Sequence, residues 1–177
     1  MKKIFQILCL AALMAACNSE QSLQEYMVEK ENSEDFISAS IPTNILFENL
    51  DSLSTENTES LRKIEKINVL ALTKKRDSAG LESERSQLRS ILNGEKYESL
   101  INFKAGDKEA RFAYSGSEDK IEDLIFFGYD SKMGLILLRM RGNEVSANDL
   151  YKIAQSAEQF NMNAITGQFG DLLGDLE

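Results

Sequence analysis

The chain has 177 residues, 29 acidic against 20 basic, with 42% apolar residues, two cysteines, one proline and no tryptophan or histidine. The length fits one domain of ordinary size, and the apolar share is sufficient for a core. Without histidine, a Ser-His-Asp triad, histidine-zinc sites and imidazole acid–base chemistry are excluded.

The first seventeen residues say where the protein goes. Lys2 and Lys3 form a short positive start, Ile4 to Met14 is an apolar run broken only by Gln6, and Ala15-Ala16 precede Cys17. This is the layout of a secretory leader, and the run is too short to span a bilayer as a helix. Met14-Ala15-Ala16-Cys17 resembles the bacterial lipobox, with Met14 where leucine is commoner. Cys9 is a poorer match, because Leu8 precedes it where a small residue is needed. The resemblance implies that residues 1–16 are removed and that Cys17 is acylated, which anchors the protein to the membrane through its acyl chains. The alternative is an ordinary cleaved leader with an incidental cysteine. Each buried methylene contributes ~0.8 kcal/mol, so two or more chains hold firmly. Asn18 follows Cys17; by the rule familiar from enteric bacteria, the absence of aspartate there points to the outer membrane. Ser19-Glu20 is a fragment of the acidic pattern that marks surface export, and the periplasmic side and the cell surface both stay open.

Both cysteines lie in this segment, so residues 18–177 have no disulfide, no thiol nucleophile and no thiolate metal ligand. Loss of Lys2 and Lys3 leaves 18 positive residues against 29 negative, a net charge of −11. Such a chain is repelled by nucleic acid and by anionic head groups, so no nucleic-acid partner is expected.

In chain order, Ser22-Leu23-Gln24-Glu25 has the spacing of a capping box and opens a short helix with Tyr26 and Met27 on its apolar stripe. Residues 17–21 are then a short tether. Phe36 to Ile41 alternates as a strand. Pro42 is placed to open the next helix, with Thr43 or Asn44 as cap and Leu46, Leu50 and Leu53 at helical spacing. The polar run from Ser54 to Ser60 predicts a break, with a restart through Leu61 and Ile64. Ile67 to Thr73 reads as a buried strand, residues 74–80 as a loop, and Leu81, Leu88, Ile91 and Leu92 as a helix closed by Asn93-Gly94. Four strand signals follow: Leu100–Ala105, Glu109–Ser115, Ile121–Tyr129 and Met133–Arg141. Their short connections require antiparallel neighbours, a four-strand meander. Ser146-Ala147-Asn148-Asp149 starts a last helix with Leu150, Ile153, Ala154 and Ala157 on one face. The expected fold is α+β: a two-layer domain over residues 22–160, its sheet mainly antiparallel but mixed at the first strands, with the helices on one face.

Residues 161–177 form a tail. Phe169, Leu172, Leu173 and Leu176 follow i, i+3, i+4, i+7, while Gly170 and Gly174 weaken a helix by about 1 kcal/mol each. Docking on its own domain, fraying in solution and binding a partner as an amphipathic peptide are the three readings.

The order of these elements carries a resemblance. It runs from the leader and Tyr26 through Phe36-Ile37-Ser38-Ala39-Ser40-Ile41 and Ile67-Asn68-Val69-Leu70-Ala71-Leu72. It continues through Tyr97-Glu98-Ser99-Leu100, the hairpins, Ile136 to Gly142 and Leu150-Tyr151-Lys152-Ile153-Ala154. The chain resembles the domain of unknown function 4252 family, envelope proteins of Bacteroidota, over roughly residues 22–160. The family has no established activity, so the resemblance implies an envelope protein and assigns no site residue.

Candidate chemistry is sparse. Acid–base catalysis without histidine needs paired carboxylates. Glu122 and Asp123 are adjacent on a strand and point to opposite faces. Asp123 shares a face with Ile121, Ile125 and Phe127; it is either buried there or solvated near the sheet edge. Arg139 and Arg141 share a face and are placed to grip a carboxylate or phosphate, or to pair with the chain's own acids. Lys74-Lys75-Arg76 is a basic tripeptide that reads as a solvated loop or an anion contact. Tyr114 and Tyr129 read as core edge rather than as a sugar platform. Gly-rich phosphate loops and calcium loops are missing from the sequence, and no cofactor or metal is expected. The leading expectation is a non-enzymatic lipoprotein that binds or supports another envelope protein. A carboxylate-dependent hydrolase of an envelope polymer and an envelope-stress sensor are the alternatives.

Overall fold

The computed structural model describes residues 21–42 and 54–155. Among them the elements run α1 (Leu23–Glu31), β1 (Ile37–Pro42), α2 (Thr55–Arg62), β2 (Ile64–Thr73), α3 (Leu81–Leu92), β3 (Tyr97–Ala105), β4 (Lys108–Ser117), β5 (Lys120–Asp130), β6 (Gly134–Val145) and α4 (Ala147–Gln155). The six strands form one sheet in the order β1-β2-β6-β5-β4-β3. The α+β class and the meander from β3 to β6 are as expected.

Two expectations about the sheet are corrected. It is antiparallel throughout, because β1 pairs antiparallel with β2 and β2 pairs antiparallel with β6. Nor do the helices share one face. Strand side chains alternate between faces, and β2 uses both. Leu70 and Leu72 join Leu23, Tyr26 and Met27 of α1 and Leu81, Leu88, Ile91 and Leu92 of α3. Val69 and Ala71 join Leu61 of α2 on the other side. Leu150 of α4 packs with Tyr114, Leu124, Ile121 and Val145, beside α2. The molecule therefore has α1 and α3 on a first face, the sheet in the middle, and α2 and α4 on a second face.

Local chemistry explains the helix ends. The Ser22 side chain accepts from the Glu25 amide while Glu25 reaches back to the Ser22 amide, a capping box that closes α1. Pro42 is the last residue of β1, opposite Lys66, and the helix expected to follow it lies outside the described residues. β1 is an edge strand, where a missing N–H is tolerated. The polar run expected to break a helix is instead α2, capped by Ser54. Its polar residues are retained because Asp149 of α4 is buried against them. Asp149 accepts from Ser60 Oγ and Lys63 Nζ, both at 2.7 Å, and from Ser146 N and Oγ at 2.8 and 2.7 Å. Burial opposes the charge, but the hydrogen bonds from Lys63, Ser146 and Ser60 hold the Asp149 carboxyl well below its ordinary range. Gly134 opens β6 at φ 142°, where a Cβ would sit 2.1 Å from the Leu72 carbonyl oxygen, so the tight approach of β6 to β2 requires glycine.

Candidate functional site

The centre of the first face is filled. Leu88, Leu92, Ile125, Phe127 and Leu137 have no exposed surface. Polar side chains tie its helices down. Glu84 of α3 accepts from Tyr26 Oη and Lys30 Nζ of α1, both at 2.8 Å. Burial, and then that hydrogen bond, raise the Tyr26 hydroxyl far above its usual value. Arg85 bridges α3 to Glu109 of β4 at 3.0 Å and lies over the Tyr129 ring, 4.3 Å from its centre.

Asp123 and Arg139 are brought together on this face, and both are buried. The guanidinium meets the carboxylate with two parallel bonds, Nε to Oδ1 and Nη2 to Oδ2, each 2.8 Å. Its remaining nitrogen Nη1 donates to Gln24 of α1, and Ser115 Oγ lies 3.5 Å from the carboxylate. Asp123 is thus not a solvated acid near the sheet edge. β5 has β6 and β4 on its two sides, and α1 closes over the pair. Arg139 and Arg141 do not form an anion clamp, since Arg139 directs its fork at Asp123. Arg141 is half exposed, with its Nε 3.9 Å from the same carboxylate. A small polar cavity of about 90 Å³ lies beside the pair, between α1 and Ser38, Lys66 and Asn68. The tie is structural: a bidentate pair buried in the sheet, with the polar groups around it satisfied.

The second face is different. Among the described residues, α2 lies against the β1–β2 side and α4 against the Val145 end, and no described helix covers the centre of the β6-β5-β4-β3 surface. Register places Ala71, Ile136, Gly128, Ala110 and Phe103 in one row across five strands. The adjoining row is Val69, Leu138, Phe126, Phe112 and Ile101. Three small residues in the first row sink its floor, and the Phe112 and Phe126 rings, 4.8 Å apart, build the wall. The result is an apolar trough of about 350 Å³, bounded at the sheet end by Met133, Lys108 and Asp130. Gly128 lies on its floor, where a Cβ would stand 3.2 Å from Ile136 and 3.3 Å from the Phe126 ring. Around it Ile101 is 59% exposed, Phe103 54%, Leu100 51% and Met133 46%. Scattered apolar residues on a surface are ordinary, but a contiguous lined trough is the mark of a binding surface.

Sequence reasoning missed this trough. Its residues come from five strands and are aligned only by pairing. The one signal along the chain was Leu100-Ile101 with Phe103, too many apolar residues for an edge strand that faces water. Of the other sequence candidates, Cys17, Phe169, Leu172, Leu173 and Leu176 lie outside the described residues, as does the expected helix through Leu46, Leu50 and Leu53. Lys74, Lys75 and Arg76 form an exposed turn. Tyr114 and Tyr129 are buried in the sheet, and hydrogen bonding to Glu98 pushes the Tyr114 hydroxyl up to about 12. Among the described residues no group of three or more Asp, Glu, Cys or His is placed to hold a metal ion, and no helix is long and apolar enough to cross a membrane.

The family model described as Domain of unknown function (DUF4252) matches residues 26–153, from the buried Tyr26 of α1 into α4. No curated protein and no solved structure matches the chain. The match covers most of the sequence and all six strands, and the chain belongs to that family.

Proposed function

We propose that this member of the DUF4252 family is an acylated lipoprotein of the cell envelope, held at the outer membrane through Cys17. Its domain serves as a non-enzymatic binding module for another envelope protein. The observation that carries the binding half is the open trough with Ile101, Phe103 and Met133 around it. Side chains of this size contribute about 1.5–3 kcal/mol each when fully buried, enough for a small set to anchor a partner. The lipobox resemblance of residues 14–17 supports the anchor. The hydrolase alternative loses its best acid, since Asp123 is held on both oxygens by Arg139 beneath α1.

The test is photo-crosslinking in intact cells with a benzophenone amino acid in place of Phe103. The expected result is an adduct with one envelope protein, lost with Cys17→Ala. The same probe at Asn102, on the opposite face of the strand, is the control. Equal labelling from both positions, or no adduct from either, would sink the proposal.

A further inference from the structure

We infer that the margin of the first face, beside the end of α3, holds an anion site formed by Arg89, Lys104 and Arg111, which takes the phosphate group of a small soluble phosphomonoester. The site lies across β3 and β4 from the trough, and the inference does not rest on what the trough binds.

A polar cavity of about 300 Å³ lies between the C-terminal turn of α3 and the β3–β4 pair. Register sets Lys104 opposite Glu109 and Asn102 opposite Arg111 in its wall, and Arg89 and Asn93 enter it from α3. Its charge is unbalanced in a chain that is acidic overall. Glu109 is the acid of the cavity, and it is already engaged: Arg85 donates to its Oε2 at 3.0 and 3.1 Å, and Arg89 Nε stands 3.4 Å from its Oε1. Arg85 also pairs with Glu82. Among the described residues, Lys104 and Arg111 form no ion pair, although Lys104 faces Glu109 in register. Four cations therefore share two acids, and two positive charges are in excess.

Arg111 carries the inference furthest, by contrast with Arg139 on the same face. Arg139 spends Nε and Nη2 on the Asp123 carboxylate. Arg111 gives Nη1 to the neutral Asn93 side chain at 2.6 Å, and its Nε is buried with no hydrogen-bond partner. An orphaned donor beside a cavity calls for an acceptor that comes from outside. Burial lowers the Arg111 guanidinium from its ordinary value against the pull of Glu109, the direction expected of a cation short of counter-charge. The ligand class follows from the donors. A phosphomonoester brings nearly two negative charges at neutral pH and three acceptor oxygens, which suits two excess charges and cations that arrive from α3, β3 and β4. A carboxylate brings one charge and two oxygens in one plane.

The experiment is a titration of phenyl phosphate into the full mature chain with Cys17→Ser, at fixed ionic strength. The arginine Nε–H and asparagine side-chain amide signals are followed in proton–nitrogen NMR spectra. Signals of Arg111, Asn93 and Asn102 should shift together and saturate. Arg111→Gln should weaken binding at least about tenfold, and Lys104→Gln several-fold. Lys104 is exposed, so its variant tests the site without endangering the fold. Lys75→Gln, in the basic Lys74-Lys75-Arg76 turn, is the control and should leave the affinity unchanged. A loss from Lys75→Gln equal to that from Arg111→Gln means diffuse attraction and overturns the inference, as does a titration that never saturates. Tighter binding of benzoate than of phenyl phosphate overturns the phosphate assignment. Co-sedimentation of the unacylated chain with phosphatidylglycerol vesicles, lost with Arg111→Gln, overturns the soluble ligand and gives the site to the membrane surface.

Discussion

The two faces of β5 show how differently one strand can be treated. Ile125 and Phe127 point to α1 and α3 and are fully buried, while Phe126 points the other way and stays partly open beside Gly128. The residues are equally apolar; the difference is the cover. α3 is a twelve-residue helix with four buried side chains, and α1 adds three more, so the centre of the first face is covered, while Asn102 and Lys104 of β3 stay exposed on it. α2 and α4 lie toward two margins of the second face, where they are locked to each other by Asp149 rather than spread over the sheet. The packed core on one face is enough to hold the sheet together, so the apolar trough on the other is not needed for that core.

The sharpest way to break that comparison is at the buried ion pair and the core beside it. Arg139→Ala leaves Asp123 uncompensated beneath α1, and a loss of about 3–5 kcal/mol in urea unfolding is expected. Replacing both partners, Asp123→Leu with Arg139→Met, should recover most of it, because the pair is a solved packing problem rather than a reactive site. A double variant that folds well but no longer captures its partner would show instead that the pair belongs to the functional surface. Phe127→Ala empties a fully buried ring site and should likewise cost about 3–5 kcal/mol.

The next effect is smaller and depends on pH. Asp149 has a depressed folded pKa, so its contribution is present above the unfolded carboxyl value of about 4 and is lost as pH falls through the lower folded value. Asp149→Asn should cost about 1.5–3 kcal/mol at pH 7. It should also flatten the loss of stability below about pH 4, as read by thermal unfolding across pH. An unchanged acid limb would mean that other carboxylates set it.

What was legible in the sequence was local. The Ser22–Glu25 box, the hairpins through Gly106-Asp107 and Asp130–Lys132, and the Asn93 end of α3 are written within a few residues of where they act. What was not legible depends on contacts between distant segments. The Thr55–Arg62 segment read as a break because it is polar and rich in the Ser, Thr and Asn residues that cap helices. Ser60 is satisfied by a carboxylate 89 residues away. The pairing of β1 and β6 with β2 is equally non-local, and it alone decides that the sheet is antiparallel throughout and that the helices divide between its faces. Asp123 and Arg139 were each picked out along the chain, but their mutual pairing needed the β5–β6 register. The trough was the least visible feature, since Ala71, Gly128 and Ala110 are unremarkable in their own strands and form a floor only in line.

The smallest effect is the most telling about the second face. Phe103→Ala removes a ring that is half exposed with no described helix over it, so stability in urea unfolding should stay within about 0.5 kcal/mol of the parent. Asn102→Ala, on the opposite face of β3, is the control and should cost as little. A loss of more than about 1 kcal/mol at position 103 alone would mean that the ring is packed in the folded chain, and that the second face carries stability as the first does.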